Sequence, residues 1–365
     1  MKVGSDFSGI GSPEVAFKNL GIDIEHVFAC DVDKYAKQSY CEIHKPKIFF
    51  DDITKRNHGS VERLDMYFAG FPCQTFSSAG KRKGFDDVRG TLFFDTAEFI
   101  RINRPKVFVL ENVKGLLNHD KGNTYQTIID VLSNGGGTVN SQMSFDMFED
   151  GLGYHLHTCL LNTKDFGLPQ NRERIFIVGF DKFAEFRIPK GFELTKKLID
   201  ILEDEVPGKY YLKQKQIDKL IEYNKRQIEK GNGFMAKFHN PNEDMMSALK
   251  VKGTHADDLV EVVAHSLFPR SSKTGKGGSG SLSKTDGTIY CIDAQNTQAI
   301  EVKNTKRIRR LTPFECWKLQ GFSKEDFDKA ANVCSDTQLF KQAGNTISVP
   351  VIQAIIKNIT DALDK

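Results

Sequence analysis

Short apolar or β-branched runs alternate with helical patterns through the first half of the chain. KVGSDF, EHVFACD, KIFF, LDMYFAG, PKVFVLEN, HLHTCLLN and RIFIVGF read as strands, and 13–20, 33–43 and 91–102 read as helices between them. Such alternation predicts an α/β fold with a doubly wound, mostly parallel sheet, whose ligands lie at the carboxyl ends of the strands. Asp6, Asp31, Asp52, Cys73 and Glu111 fall at or just beyond consecutive strand ends, and this locates a candidate site.

After about Lys190 the pattern changes. The stretch 211–228 carries Leu212, Ile217, Leu220, Ile221 and Ile228 at near-helical spacing, and beyond it lies the tract GKGGSGSLSKTDG at 275–287. A second, smaller domain with long loops is expected here. The tract suits a flexible linker or a loop that follows a nucleic-acid backbone. At the end of the chain, Ile352, Ile355, Ile356, Ile359 and Leu363 predict a helix that returns to the first domain.

Composition adds bounds. The chain has 365 residues, enough for one large domain or two smaller ones, and a formal net charge of +3 that does not by itself announce a nucleic-acid binder. Between 269 and 310, however, Arg270, Lys273, Lys276, Lys284, Lys303, Lys306, Arg307, Arg309 and Arg310 face only Asp286, Asp293 and Glu301. That segment can collect phosphates or form a solvated surface. Cysteines 30, 41, 73, 159, 291, 316 and 334 are odd in number and form no CxxC pair, so reduced thiols are expected rather than a disulfide framework or a metal site. MKVGSDFSGI lacks the apolar core of a signal peptide, and no apolar run approaches the ~20 residues of a membrane span, so a soluble intracellular chain is expected.

In DFSGIGSPEVAF at 6–17 a strand gives way to a glycine turn and then to a helix, with Ser12 read as its cap and Pro13 in its first turn. A small ligand fits against such a turn. Asp31 can accept hydrogen bonds from ribose hydroxyls, and Asp52 with Ile53 can hold an adenine amine and face. Together they suit a nucleoside-containing cofactor and leave nicotinamide and adenosylmethionine both open. No third glycine follows Gly9 and Gly11, which favours a cofactor without a pyrophosphate.

Cys73 sits in GFPCQTFSSAGKRKG at 70–84, where a strand should end and a basic loop begins. The thiolate is the reactive form, and an ordinary thiol with pKa ~8.5 is only slightly ionised at neutral pH, so nearby amides and basic groups would help it. Glu111, at the end of the next strand, is its candidate partner, because a carboxyl group in an enclosed site can serve as acid or hydrogen-bond donor. In QNRERIFIVGF at 170–180, Arg172 and Arg174 share one face of a strand, with Glu173 on the other, and point to phosphate or to an acidic residue such as Glu111.

Six blocks, in order, resemble those of DNA cytosine-5 methyltransferases of the bacterial and phage restriction-modification type: DFSGIG at 6–11, GFPCQTFSSAGKRKGFDDVRGTLFFD at 70–95, ENVKG at 111–115, QNRERIF at 170–176, RIRRLTPFECWKLQGF at 307–322 and GNTISV at 344–349. The resemblance covers nearly the whole chain outside 190–302. It implies a Rossmann-like catalytic domain over 1–190 and 335–365 and a target-recognition domain with its hinge over 191–334. S-adenosyl-L-methionine is the implied cofactor, S-adenosyl-L-homocysteine its product, and no metal is implied. By the same resemblance Cys73 attacks carbon 6 of a flipped-out cytosine, Glu111 engages ring nitrogen 3, Arg174 contacts the ring oxygen or a phosphate, and Arg172 supports that geometry. Phe7, Gly9, Gly11, Asp31, Val32, Asp52, Ile53, Pro72, Leu92, Asn345 and Thr346 map onto cofactor contacts.

The loop 75–90, with Ser77, Lys81, Arg82, Lys83 and Arg89, becomes a cationic lid over the base, and Lys276 and Ser279 become further DNA contacts. Ser279 stands where a longer polar side chain can fill the gap left by the flipped base, and Asp31-Val32 stands where many relatives have Glu followed by an aromatic. Duplex DNA is the implied partner of a monomer in the cytoplasm of a bacterial or phage-infected cell, with a restriction endonuclease acting on the same site as a companion. A transfer-RNA cytosine-5 methyltransferase and a non-catalytic DNA-binding module are the alternatives.

Overall fold

The computed structural model describes residues 1–72, 92–133, 150–196, 198–213 and 307–364, residues 215 and 222, and the strand segments 262–266, 282–284, 289–290 and 298–302. All seven expected strands form: β1 (Lys2–Asp6), β2 (Glu25–Cys30), β3 (Ile48–Phe50), β4 (Met66–Ala69), β5 (Val107–Val113), β6 (His155–Asn162) and, after the two-residue β7 (Gln170–Asn171), β8 (Glu173–Phe180). They make one sheet in the order β3-β2-β1-β4-β5-β8-β6. From β3 to β5 every pairing is parallel, and β8 runs antiparallel to both its neighbours, β5 and β6. The mostly parallel α/β expectation holds.

The chain lays down β1, β2 and β3 toward one edge and then crosses back to place β4 and β5 on the other side of β1. Strand order therefore reverses between β1 and β4, and the loops leaving these two strands diverge and open a crevice at their carboxyl ends. Asp6 pairs with Ala69 at that point.

Each strand feeds two cores, because successive side chains point to opposite faces. In β4, Met66 and Phe68 join one core, while Tyr67 and Ala69 join the other. The first core is closed by α1 (Ser12–Leu20) and by the C-terminal helix Val349–Leu363, whose Ile352, Ile355, Ile356 and Ile359 are all buried. Leu363, expected on the same stripe, is exposed in the last turn of that helix. The second core takes Phe93, Ala97, Phe99 and Ile100 of α3 (Leu92–Asn103) and Ile128, Val131 and Leu132 of α4 (Asn123–Leu132).

Leu198, Ile201, Leu311, Cys316, Trp317, Leu319, Phe322 and Ala330 also lie in the first core. The expected division at 191–334 assigns these residues to the recognition domain, whereas their packing is with the catalytic sheet. Among the described residues that region also contains a four-stranded sheet, β10 (Leu282–Lys284), β9 (Val262–Ser266), β12 (Gln298–Val302) and β13 (Arg307–Arg310) in spatial order, and β11 (Ile289–Tyr290), which pairs with β7. Most of the expected helix over 211–228 lies outside the described residues. No helix among the described residues is long and apolar enough to cross a membrane.

Candidate active site

The crevice at the β1/β4 switch holds about 420 Å³ of space that opens to solvent. It is lined by Ser5, Asp6, Phe7, Ser8, Gly9, Ser12 and Pro13 from the first strand, turn and helix, by Phe68, Ala69 and Gly70 from β4 and its exit, and by Glu111 and 345–347. Of the sequence-derived residues the structure thus gathers Phe7, Gly9, Glu111, Asn345 and Thr346 around one space. Gly11, Asp31, Val32, Asp52, Ile53, Pro72, Leu92, Arg172 and Arg174 do not line it.

Backbone geometry explains the glycines. Gly9 has φ +56 with nothing within 4 Å of where a Cβ would stand, so its missing side chain leaves the backbone open to the crevice. Gly11, at φ +82, would instead drive a Cβ to 2.2 Å from His44 Nε2, so it is required by packing against α2 (Lys34–Ile43) and its cap. Phe7 holds φ 54, a conformation costly for a bulky residue and maintained by its surroundings. Gly11, not Ser12, is the cap residue of α1. With the cap position taken by the left-handed glycine, Ser12 lies inside the helix and its hydroxyl pairs with Thr346 Oγ1 at 2.7 Å and donates to the Ile347 carbonyl at 2.6 Å.

Asp31 organises the turn. Its Oδ2 accepts from the Gly9 N–H at 2.9 Å and its Oδ1 from the Asp33 N–H at 2.8 Å. Burial raises its pKa above the ordinary carboxylate value, opposed by those two donated amides. Beside it, Val32 is 81% exposed, an apolar side chain left in solvent. Asp52 caps the one-turn helix Ile53–Lys55 and accepts from the Thr54 hydroxyl at 2.7 Å, a bond that heads the causes lowering its pKa. The Ile53 side chain is spent on the second core, so any contact it makes with a ligand comes from its backbone.

Behind the crevice lies an ion pair absent from the sequence reading. Arg56 donates to Asp6 through two parallel bonds of 2.8 and 2.7 Å, and the Tyr67 hydroxyl donates to the same carboxylate at 2.7 Å. The guanidinium also faces the rings of Phe28, Phe99 and Phe50 at 4.5, 4.6 and 5.2 Å. Asp6 does end a strand, but its carboxylate is buried and occupied by these partners.

Glu111 and Arg174 meet as the sequence suggested: Nε of Arg174 stands 3.0 Å from Oε1 of Glu111, both side chains mostly buried. Antiparallel pairing brings this about, because β5 does not stop at Glu111 but continues to Val113, opposite Arg174. Glu111 is therefore within a strand rather than at its end. Arg172 is buried and its Nη2 donates to the Thr346 carbonyl at 2.7 Å and the Gly344 carbonyl at 3.2 Å, tying the start of β8 to the 344–346 segment. Arg172 and Arg174 both line a smaller space of about 170 Å³ next to Ile347 and Ser348. Glu173, on the opposite face, pairs with Lys114 at 2.9 Å. Asn112, the second residue of ENVKG, donates to the Phe71 carbonyl at 3.0 Å.

Cys73, Ser77, Lys81, Arg82, Lys83 and Arg89, and likewise Lys276 and Ser279, lie outside the described residues. Among the described cysteines, burial pushes the thiols of Cys30 and Cys159 up, the latter to about 12, which makes both poor nucleophiles. Arg309, counted among the basic residues of 269–310, is buried against Glu315 through bonds of 2.8 and 2.7 Å and is not a free phosphate contact. Its partner is fixed by a capping box with Thr312 at the start of the helix Pro313–Lys318.

Known proteins resemble this chain over nearly its full length. A family model described as C-5 cytosine-specific DNA methylase matches residues 1–361. The type II methyltransferase M.HpaII of Haemophilus parainfluenzae is 38% identical over 364 residues, covering 98% of this chain and 88% of that protein. The orphan methyltransferase M.SPRI of Bacillus phage SPR is 33% identical over 444 aligned positions, covering 98% and 97%. Among solved structures, S. pombe Dnmt2 methyltransferase superposes with a TM-score of 0.65 at 18% identity over 100% of both chains, a likeness of fold. The Entamoeba histolytica methyltransferase EhMeth gives 0.60 at 18% identity, covering 100% of this chain and 99% of its own. From the first strand to the C-terminal helix, the chain belongs to the C-5 cytosine-specific DNA methylase family.

Proposed function

We propose that this DNA (cytosine-5) methyltransferase acts on a cytosine flipped out of duplex DNA, with Cys73 as nucleophile, Glu111 and Arg174 as the groups that engage the ring, and Arg172 holding the wall beside them. The carrying observation is the Glu111–Arg174 pair at 3.0 Å, with Glu111 in the wall of the same crevice as Phe7, Gly9, Asn345 and Thr346. One carboxylate then serves a space that accepts a cofactor on one side and a base on the other.

The family uses S-adenosyl-L-methionine, which when bound supplies an activated methyl group on a sulfonium. The crevice suits it: Gly9 and Gly11 are followed by no third glycine of the kind a pyrophosphate-binding turn carries, and Glu111 lines the space. Of the two cofactors the sequence leaves open, nicotinamide and adenosylmethionine, the family's is the latter. Phe7, Gly9, Asn345 and Thr346 would hold the cofactor directly. Asp31 and Asp52 would meet ribose and adenine. Val32 would supply an apolar face, and Gly11, Ile53, Pro72 and Leu92 would contribute backbone or packing contacts.

On the base side, the Cys73 sulfur forms a bond to carbon 6 and the ring electrons move toward nitrogen 3. Glu111 holds that nitrogen and its proton. Arg174 fixes the carboxylate and balances the charge that gathers on the ring oxygen, where a preoriented donor in a dry site is most effective. After carbon 5 is methylated, its proton leaves to a base and the carbon–sulfur bond breaks, which returns the thiolate. Extruding the cytosine costs a few kcal/mol, which the basic loop 75–90 would offset by closing on the strand through Ser77, Lys81, Arg82, Lys83 and Arg89. Lys276 and Ser279 would extend the contact from the recognition domain.

The enzyme on this reading is a sequence-specific monomer working on DNA in the cytoplasm, with a restriction endonuclease of the same specificity as companion. Bisulfite mapping of DNA from expressing cells tests it. Methylated cytosine in one sequence context, lost in Cys73→Ala and reduced at least about a hundredfold in Glu111→Gln, is expected. Full methylation by Cys73→Ala would reject the assignment.

A further inference from the structure

We propose that Arg56 is a positioning residue for the cofactor, acting through Asp6 to clamp together the two turns that form opposite parts of its site. The inference rests on the cofactor reading above and goes beyond it, since neither residue is among the contacts assigned there to the ligand.

Asp6 ends β1 and lines the crevice, and the next residue, Phe7, holds the left-handed conformation from which the glycine turn departs. Arg56 is the residue immediately after the one-turn helix that Asp52 caps. The side chains of both Arg56 and Asp6 are fully buried, and two parallel bonds between planar groups fix orientation as well as distance. Tyr67, on β4, donates to the same carboxylate, so the clamp also includes the strand on the far side of the switch. On the other side, the local bonds of Asp52 go to Thr54 and Lys55 within its own turn and give that turn no directed link to β1.

A purely stabilising role is the simpler account, and it fits this pair poorly. Apolar residues of similar volume commonly replace a buried ion pair at no loss of stability, and three aromatic rings already surround the guanidinium. What apolar packing lacks is a directed, two-point link between residues fifty positions apart in sequence. The position of the Asp52 turn relative to the Phe7 turn depends on that link.

The test compares wild type with Arg56→Lys, which keeps the charge and loses the fork, and with the double variant Asp6→Leu/Arg56→Met. Each is assayed for the KM of S-adenosyl-L-methionine, for kcat at saturating cofactor, for affinity toward duplex DNA without cofactor, and for thermal unfolding. The expected result is a rise in cofactor KM of at least tenfold in both variants, with DNA affinity unchanged and kcat within about threefold of wild type. A folded Arg56→Lys with wild-type cofactor KM overturns the proposal even if the double variant does not fold. Wild type that fails to bind S-adenosyl-L-methionine by calorimetry would overturn the cofactor reading itself, a result separate from any variant.

Discussion

The side-chain amide of Asn112 donates to the carbonyl of Phe71 at 3.0 Å, and this bond joins the strand carrying Glu111 to the segment that leads into Cys73. Asn112 is buried and its own carbonyl accepts from the Val113 N–H at 2.8 Å, so the amide is held in one orientation. The chain at Phe71 is thereby tied to the strand that carries Glu111. A carbonyl has a second lone pair, so Phe71 remains able to accept from a cytosine amine as well.

Asn112→Ala should leave the Phe71 carbonyl buried without this donor, a loss of about 1–3 kcal/mol. Turnover should fall by tenfold or more while S-adenosyl-L-methionine affinity stays within a few-fold, because the change loosens the nucleophile's side of the site. Steady-state kinetics with a DNA substrate and cofactor calorimetry separate the two effects. Equal losses in both would show that Asn112 supports the whole crevice rather than the Phe71 segment.

Gly9 and Gly11, two residues apart in one turn, should respond differently to alanine. At Gly11 the added Cβ meets His44 Nε2 at 2.2 Å in a left-handed backbone, so urea unfolding should show a large destabilisation, beyond the ~1 kcal/mol that the conformation alone costs. At Gly9 the Cβ meets nothing, so stability should drop only by about that conformational cost, while cofactor KM rises as the methyl enters the crevice. Similar unfolding midpoints for the two variants would refute this division of labour.

Arg172→Met should uncouple the 344–346 segment from β8. The guanidinium donates to Thr346 O and Gly344 O, and Thr346 in turn meets Ser12 at the start of α1, so one buried side chain positions two elements that line the crevice. The expected outcome is a cofactor KM raised tenfold or more together with a stability loss of about 1–3 kcal/mol from the stranded carbonyls. A fall in kcat alone, with cofactor KM unchanged, would assign Arg172 to the base side instead.

Much of this arrangement could be read from the chain because it is written locally. Apolar runs of strand length, separated by short polar segments, specify the sheet, and a carboxylate at or just after the end of each of the first three strands marks the same end of it. Glu111 and Arg174 could be matched because antiparallel neighbours bring two charged blocks together. What escaped was written at long range. Arg56 sits in TKRNHGS, which reads as a solvated surface, and nothing local distinguishes an arginine whose carboxylate partner lies fifty positions earlier. Arg309 differs, because its partner Glu315 lies only six positions on, but a basic strand before a helix-capping glutamate reads equally as a phosphate contact or a solvated surface. Asn112 and Ser12 bond to backbone carbonyls, and a carbonyl has no sequence signature.

His44, cap of α2, donates from Nε2 to the carbonyl of Ile10 at 3.1 Å and so supports the residue between Gly9 and Gly11. Burial lowers its pKa, and His26 adds to this, while Glu14, the bond to Ile10 and Asp326 act in the opposite direction without overcoming it. An unfolded histidine titrates near ~6.5, so just below that pH the unfolded chain binds more protons than the folded one. The contribution of neutral His44 is thus complete above about 6.5 and is lost as pH falls toward the lower, folded value. His44→Gln keeps a donor for Ile10 and removes the titration. The stability of wild type relative to His44→Gln should therefore decline below pH ~6.5, by at most about 1.4 kcal/mol per pH unit, and be constant above it. Urea unfolding of both proteins between pH 8 and pH 5 measures this, and parallel stability curves across that range would show that the Ile10 bond is insensitive to the charge on His44.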